Sequence, residues 1–373
     1  AYQAKLNAIT PSAYSSVEGL ELEPGTYISV IGKEEDSSYW NQIRAGVEQA
    51  AADLNEALGY SGSDQIKVLY NAPSGEEDMN EQVNILDEEL ARYPDVIAIA
   101  SIDEDASEVQ FDLAAGNDIP IVAFDSGNLY QGIQCTCKTD NSAATAEGVS
   151  KLCEAIGDSG EVALIVHDSV SESAREREEA FKAALSAEHP EVTVAETIYM
   201  DELDEIKKSA AAEQLGVSLE EIQAQQAAET TGQGEEQTGE ASAVMEEINV
   251  AAEGMSDEDA VAYCLKKHPD LKGCFGTNVD ATQLGLKALG SMEEAEDVVL
   301  MGFDAGAAQL EALESGEIDG LVVQNPFGIG YAAVIASART VLEIGNEAQV
   351  NTGYIWVDQE NLEEDAVQAM LYE

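Results

Sequence analysis

The sequence predicts an α/β protein whose parallel sheets are covered by helices on both faces, and three short stretches carry that expectation. Cys274-Phe275-Gly276-Thr277-Asn278 opens into a helical pattern near Val279. Val298-Val299-Leu300-Met301-Gly302-Phe303-Asp304 leads into a helical pattern from Ala305 to Gly316. Gly320-Leu321-Val322-Val323-Gln324 is followed by Asn325-Pro326-Phe327 and a helix from Gly328. Each is a continuous apolar run that ends in a polar residue before a helix, as in strands buried on both faces. Ligands of such sheets bind beyond the carboxyl ends of the strands. Asn278, Asp304 and Gln324 fall there. Two amides and a carboxylate, with neither His nor Cys among them, offer hydrogen bonds that suit a neutral polyol such as a sugar.

The remaining elements follow in order. Ala1 to Gly25 is polar, Ser-rich and aperiodic, and is expected to be a tether or arm. Tyr27 to Gly32 is the first strand, Lys33 to Ser38 an acidic loop. Trp40, Ile43, Val47, Ala50, Leu54 and Leu58 recur every three or four residues, which buries one face of a helix. Tyr39 and Trp40 sit in its first turn; adjacent residues do not share one helical stripe, so at least one ring is expected at the site, where aromatic faces stack on the C–H face of a sugar. Ile66 to Tyr70 is a strand whose helix is marked by Met79, Val83, Leu86 and Leu90. Val96 to Ala100 and Ile119 to Phe124 are strands, the second ending at Asp125-Ser126. Asp125 repeats the polar residue after an apolar strand; a helix cap is its plain alternative.

A second series opens near Cys135. Helix Ala143 to Ile156 precedes strand Val162 to His167, the loop Asp168 to Ser173, and the helix holding Ala174-Arg175-Glu176-Arg177. Arg175, at the mouth of a strand–helix unit in an acidic chain, is the candidate ligand; Arg177 is expected to pair within the helix with Glu178 or Glu179. After strand Val192 to Tyr199 the rhythm breaks. Ser209 through Leu265 contains no Lys or Arg, and Thr230 to Ser242 is rich in Gly, Gln, Glu and Thr. Ser218 with Glu221 and Ser256 with Asp259 are capping signals. An insertion of one short helix and a mobile loop is expected, burying little apolar surface.

Composition bounds the function. With 373 residues the chain has room for two domains with sizeable cores. Its 74 acidic and 17 basic residues give a formal charge of −57, which argues against nucleic-acid binding and for a solvated, self-repelling surface. No apolar run approaches the roughly 20 residues of a membrane-spanning helix. The cysteines Cys135, Cys137, Cys153, Cys264 and Cys274 contain no C-x-x-C pair, and His167, His189 and His268 show no metal-ligand spacing to them, so no metal is expected. Cys264 and Cys274 bracket a helix-to-strand turn; buried thiols are one possibility, and a disulfide is expected in secreted material. No P-loop, H-E-x-x-H, G-x-S-x-G or EF-hand spacing occurs. Gly328-Ile329-Gly330-Tyr331-Ala332-Ala333 matches G-x-G-x-x-A, but no acidic residue closes a following strand about 20 residues on, and close helix packing explains the glycines better.

Several motifs in this order resemble the type I periplasmic-binding-protein superfamily, specifically the ribose-binding-like sugar receptors of ABC importers. They are Ser37-Ser38-Tyr39-Trp40 with Ala45-Gly46, Ile119-Pro120-Ile121-Val122-Ala123-Phe124-Asp125, and Thr139-Asp140-Asn141. Further along come Ser173-Ala174-Arg175-Glu176-Arg177, His268-Pro269-Asp270-Leu271, Thr277-Asn278, Gly302-Phe303-Asp304 and Gln324-Asn325-Pro326. The resemblance spans roughly Tyr27 to Asn351. It implies two similar doubly wound parallel-sheet domains joined by a three-crossover hinge. The N-terminal lobe is expected at 26–136 plus 325–351, and the C-terminal lobe at 137–324 plus 352–373 with an acidic insertion at about 203–254. Residues 1–25 would be the tether left after trimming of a lipid-anchor signal.

The resemblance further implies a binding protein and not an enzyme, with no cofactor. Its ligand residues fall on Ser37, Tyr39, Trp40, Asp125, Ser126, Arg175, Asn278, Asp304 and Gln324. Ser126 stands where ribose receptors carry an arginine and Ser37 where they carry an asparagine, which points to another monosaccharide or a derivative. Its expected partners are a small sugar and an ABC permease, for a monomer lipid-anchored outside a Gram-positive membrane. A sensor module feeding a chemoreceptor or kinase uses the same cleft, and a Rossmann-type oxidoreductase is the remaining alternative.

Overall fold

The computed structural model describes residues 2–75, 78–231 and 239–372. The chain opens with α1 (Gln3–Asn7), β1 (Tyr27–Ile31), α2 (Ser38–Leu58), β2 (Lys67–Asn71), α3 (Met79–Leu90), β3 (Val96–Ile99), α4 (Glu108–Gly116), β4 (Ile121–Phe124) and β5 (Ile133–Lys138). It continues with α5 (Asn141–Ala155), β6 (Gly160–Val166), α6 (Glu172–Glu188), β7 (Val192–Tyr199), α7 (Leu203–Gln214), α8 (Leu219–Thr231), α9 (Glu240–Glu253), α10 (Asp257–Leu265) and β8 (Leu271–Gly276). Last come α11 (Val279–Gly290), β9 (Val299–Phe303), α12 (Ala307–Ser315), β10 (Gly320–Gln324), α13 (Pro326–Val341), β11 (Gln349–Asn351), β12 (Tyr354–Val357) and α14 (Asp365–Gln368).

The strands form two six-stranded sheets, ordered β11-β5-β4-β3-β1-β2 and β12-β10-β9-β8-β6-β7. The two orders match strand for strand, so one doubly wound plan is used twice. The pairings described are parallel except β10 with β12, which runs antiparallel from Leu321↔Val357 to Gln324↔Tyr354. Continuous burial along β3, β4 and β10 agrees with strands covered on both faces. By compactness the chain divides into one unit of residues 1–151, 170–184 and 303–373 and a second of 152–169 and 185–302. The first sheet lies wholly in the first unit.

In that unit α2 and α13 organise the packing. The Ser37 side chain caps α2 by accepting the Trp40 N–H at 3.1 Å, and Gly59 ends it in the left-handed region at φ 69°. Ile43, Val47, Ala50 and Leu54 form the buried stripe. Helix α13 is buried along Pro326 to Ala338, as a helix apolar all round must be. The two helices cross closely because each presents a glycine: a Cβ on Gly46 would stand 2.0 Å from Phe327 O, and one on Gly330 2.0 Å from Ile43 O. The G-x-G-x-x-A string is thus a packing device. Beneath the strand ends, buried Gln82 donates to Gly32 O and Ala100 O at 3.0 and 2.8 Å and accepts from Ile102 N–H, tying β1 to β3.

Three expectations are corrected. The segment before β1 is not a loose tether. Leu6, Ile9, Tyr14, Leu20 and Leu22 are buried, Thr10 and Asn351 exchange backbone hydrogen bonds at 2.8 and 3.0 Å, and Tyr14 Oη donates to Asn346 at 3.0 Å. Its apolar residues are irregularly spaced, which leaves no period to detect. The insertion is likewise more than one short helix: α7, α8 and α9 share a core of Ala211, Ala212, Ile222, Met245, Ile248 and Ala252. Small and unbranched side chains fill much of it without aromatic residues. The expected loop at 230–242 falls mostly outside the described residues. Finally, Cys264 and Cys274 are not bonded, and all five cysteines are buried thiols. Cys274 turns toward the helix after its strand, reaching within 3.7 Å of a Cβ built on Gly285. Burial pushes the Cys264 thiol up to about 11 and the Cys274 thiol up to about 12.

If the insertion has its own packed core, Ile248→Ala should cost about 2–5 kcal/mol of stability. Denaturant titration of the purified variant measures this, and a loss within about 0.5 kcal/mol, the usual range for surface substitutions, would contradict the packing.

Candidate functional site

The site is built where two strands end in the same dipeptide. Strand β4 closes on Phe124-Asp125 and β9 on Phe303-Asp304, and both aspartates sit at positive φ, 61° and 74°. Non-glycine residues are strained there, and asparagine or aspartate tolerate it best. Each turn is held by its own amide: Asp125 N–H donates to Cys137 O at 2.8 Å and Asp304 N–H to Val322 O at 2.7 Å.

A continuous buried network in the first unit joins the two carboxylates. Tyr39 Oη donates to Asp125 Oδ1 at 2.5 Å, and buried Lys33 stands 3.9 Å from Asp125 Oδ2. Gln324 Nε2 donates to both Asp304 oxygens at 2.9 and 3.0 Å. The opposite end of that amide, Oε1, accepts from Thr139 Oγ1 at 2.7 Å and Arg177 Nη2 at 2.8 Å, with Tyr39 Oη at 3.4 Å. The Arg177 guanidinium lies over the Phe303 ring, 4.4 Å from its centroid, and its Nε donates to Asn141 Oδ1 at 3.0 Å. Trp40 meets Tyr39 and Phe124 edge-on at centroid distances of 5.6 and 6.4 Å. From the far end of the chain, buried Tyr372 meets the Tyr39 ring at 6.1 Å, and its Oη accepts the Ala305 N–H at 3.4 Å.

Burial sets the electrostatics. Loss of water pushes the Asp304 carboxyl up to about 6, against the opposing pull of Arg177 and the Gln324 amide. Burial, then the Asp125 charge, holds the Tyr39 phenol well above its ordinary value; burial, then the Asp304 charge, does the same for Tyr372. Both phenols are therefore protonated donors at neutral pH. Carboxylate acceptors, guanidinium and amide donors, and aromatic faces form a set that recognises hydroxyl groups by hydrogen bonds.

Of the candidates read from sequence, Tyr39, Trp40, Asp125, Asp304 and Gln324 are brought together. Both rings are buried in the site, whereas one was the minimum expected. Ser37 serves as the cap of α2. Ser126 is buried beside the first turn of α6, where its Oγ accepts the Ser173 N–H at 3.2 Å. Asn278 lies in the second unit and caps α11 by accepting the Ala281 N–H at 2.8 Å. The arginines are placed the other way round from expectation, with Arg175 making the ion pairs and Arg177 buried. Arg175 is 41% exposed and pairs with Glu104 at 3.0 Å and Glu179 at 3.5 Å, while Arg177 is 3% exposed within the network. Spacing carried the signal: Glu179 is four residues beyond Arg175, a facing position on a helix, while Glu178 and Glu179 are one and two beyond Arg177 and face elsewhere. Thr139 and Asn141 belong to the Thr139-Asp140-Asn141 motif, which had suggested no role for either side chain. Tyr372 had no local signal.

A profile described as Periplasmic binding protein domain matches residues 28–236 and 222–343. The chain belongs to this family. Solved structures agree in fold. A carbohydrate transporter solute binding protein from Agrobacterium radiobacter, in complex with D-arabinose, is 22% identical, with a TM-score of 0.70 over 93% of this chain and 98% of that one. An ABC transporter solute binding protein from Agrobacterium vitis with bound D-fucose is 20% identical, with a TM-score of 0.70 over 93% and 100%. A glucose-galactose binding protein from Geobacillus stearothermophilus is 20% identical, with a TM-score of 0.67 over 91% and 99%. No curated protein matches the sequence. Among the described residues no helix is long and apolar enough to cross a membrane.

Because the folded Asp304 carboxyl lies near 6, above its ordinary 3.8, the fold binds that proton more tightly than the unfolded chain does. Its stabilising contribution is therefore complete below about pH 4 and lost as pH rises through 6. The stability difference between wild type and Asp304→Asn should shift against the wild type by about 2–3 kcal/mol across that window. Chemical denaturation of both at pH 4 and pH 7 reads it out; a pH-independent difference would place the carboxyl at an ordinary value.

Proposed function

We propose that this protein is an extracytoplasmic solute-binding protein that captures a small neutral sugar and delivers it to the permease of an ABC importer. The observation that carries the reading is the convergence of Asp125, Asp304, Arg177, Gln324 and Tyr39 beside the Trp40 and Tyr372 rings. Sugar hydroxyls would donate to the two carboxylates and accept from the guanidinium and the amide, while an aromatic ring takes the C–H face. A chain of formal charge −57 disfavours an anionic ligand at long range. The relatives in fold support the sugar class, since their structures hold D-arabinose and D-fucose.

The network as it stands satisfies itself, so a ligand must exchange these internal bonds for its own. The net gain per hydrogen bond is then modest, and fit selects among stereoisomers. In the proposal, residues 26–136 with 325–351 and 137–324 with 352–373 are lobes that close on the sugar; the use of one strand order in two six-stranded sheets supports a two-lobe plan. A ligand shifts such an equilibrium only by binding the closed form more tightly. A monomer lipid-anchored at the outer membrane face completes the reading, on the strength of the family resemblance.

A thermal-shift panel of monosaccharides tests the proposal. The correct sugar at a hundredfold its dissociation constant should stabilise by about 2.7 kcal/mol. Arg177→Ala should weaken its binding by about 1.5–3 kcal/mol, the range for hydrogen bonds to charged groups, while Arg175→Ala retains affinity. Stabilisation by nucleotides or amino acids but by no sugar would overturn the reading, and a loss in Arg175→Ala with none in Arg177→Ala would move the site.

A further inference from the structure

Apart from the polar network, the second unit gathers a thiol, a carboxylate and an imidazole from three separate segments. Cys153 lies in the last turn of α5, Asp158 in the turn before β6, and His189 just beyond α6. One ligand atom from each lies within 4.8 Å of the other two, and His189 Nδ1 is 2.6 Å from an Asp158 oxygen. Backbone hydrogen bonds make the gathering. Asp158 N–H donates to Cys153 O at 2.7 Å, folding the turn back on the helix end, and Gly160 N–H donates to Glu191 O at 3.1 Å, tying that turn to the segment of His189. The thiol is buried, whereas the Asp158 side chain is 62% exposed and that of His189 16% exposed, so the cluster opens to solvent on the carboxylate side.

A tetrahedral zinc ion takes thiolate sulfur at about 2.3 Å and imidazole or carboxylate atoms at about 2.0–2.2 Å, which sets its ligand atoms roughly 3.3–3.7 Å apart. Atoms already confined within 4.8 Å stand near that spacing, and a bound ion would exchange the imidazole–carboxylate hydrogen bond of His189 and exposed Asp158 for metal bonds. Mixed sulfur, nitrogen and oxygen donors suit zinc or cobalt and not the all-oxygen sites of magnesium or calcium.

We propose that Cys153, Asp158 and His189 form a zinc-class site, three protein ligands and one water, that cross-links the α5–β6 turn to the α6–β7 turn. Binding expels the thiol proton to solvent. The donors are 5 and 31 residues apart in turn, outside the short spacings of recognised zinc motifs, which is why the sequence reads as metal-free.

Cobalt(II) titration of the full chain, with excess magnesium occupying surface carboxylates, tests the site. One equivalent should develop a thiolate-to-cobalt charge-transfer band with the intense visible bands of a tetrahedral centre, and zinc should bleach both. Cys153→Ser should lose the charge-transfer band, and His189→Gln and Asp158→Asn should each weaken binding more than about tenfold, at least the loss typical of removing an outer-shell partner. Zinc should raise the wild-type Tm by a few degrees and leave that of Cys153→Ser unmoved. A missing charge-transfer band, a band that survives in Cys153→Ser, or an equal zinc shift in wild type and all three variants would overturn the proposal, the last revealing adsorption to the acidic surface.

Discussion

A buried carboxylate is stable only where other groups replace the water it has lost, and Asp304 is the point at which this protein meets that requirement. Both oxygens accept from Gln324, whose other end accepts from Arg177 and Thr139, so one amide transmits the constraint across the network. The guanidinium rests on Phe303, the residue that precedes Asp304, and so carboxylate and counter-charge are positioned by a single strand end. Burial still prevails over these partners, since the carboxyl remains raised to about 6. A carboxyl raised to about 6 is ionised at neutral pH and takes up its proton in mild acid.

The scaffold supplies the rigidity that such a network needs. Reciprocal glycines let α2 and α13 approach at backbone distance, which fixes the first turn of α2, and with it Tyr39 and Trp40, against the strand end of β4. The repeated Phe-Asp turn, at equivalent strands of two sheets built on one order, delivers two carboxylates by the same backbone strain. Repetition of one supersecondary plan thus yields a matched pair of acceptors.

Much of this is legible in the amino-acid sequence. Apolar runs ending in polar residues identify β1, β3, β4, β8, β9 and β10 and put Asp125, Asp304 and Gln324 at their ends, because a doubly covered strand leaves an unbroken signature. Helical period locates the buried face of α2. What escapes lacks such a period. Leu6, Ile9 and Tyr14 belong to a segment anchored by residues more than 300 positions away, as Tyr14 is by Asn346, and Tyr372 reaches the site in the same fashion. The insertion reads as sparse in apolar surface because a core of Ala, Ile and Met carries no aromatic mark. Arg177 is legible in principle, since the facing positions of a helix are three and four residues away; Glu178 and Glu179 stand at the wrong spacing to pair with it.

The central claim is that an ionised Asp304 accepts hydroxyl groups of a bound sugar, and its affinity as a function of pH tests this most directly. Calorimetric titration of the monosaccharide found in the panel should give a constant dissociation constant above about pH 7 and a rise of up to about tenfold per pH unit below about 6, as the proton competes with the ligand. Asp304→Asn should bind more weakly and lose that pH dependence. An affinity flat from pH 4 to pH 8 in the wild type would contradict the account, because it would mean that the buried carboxylate takes no part in holding the ligand.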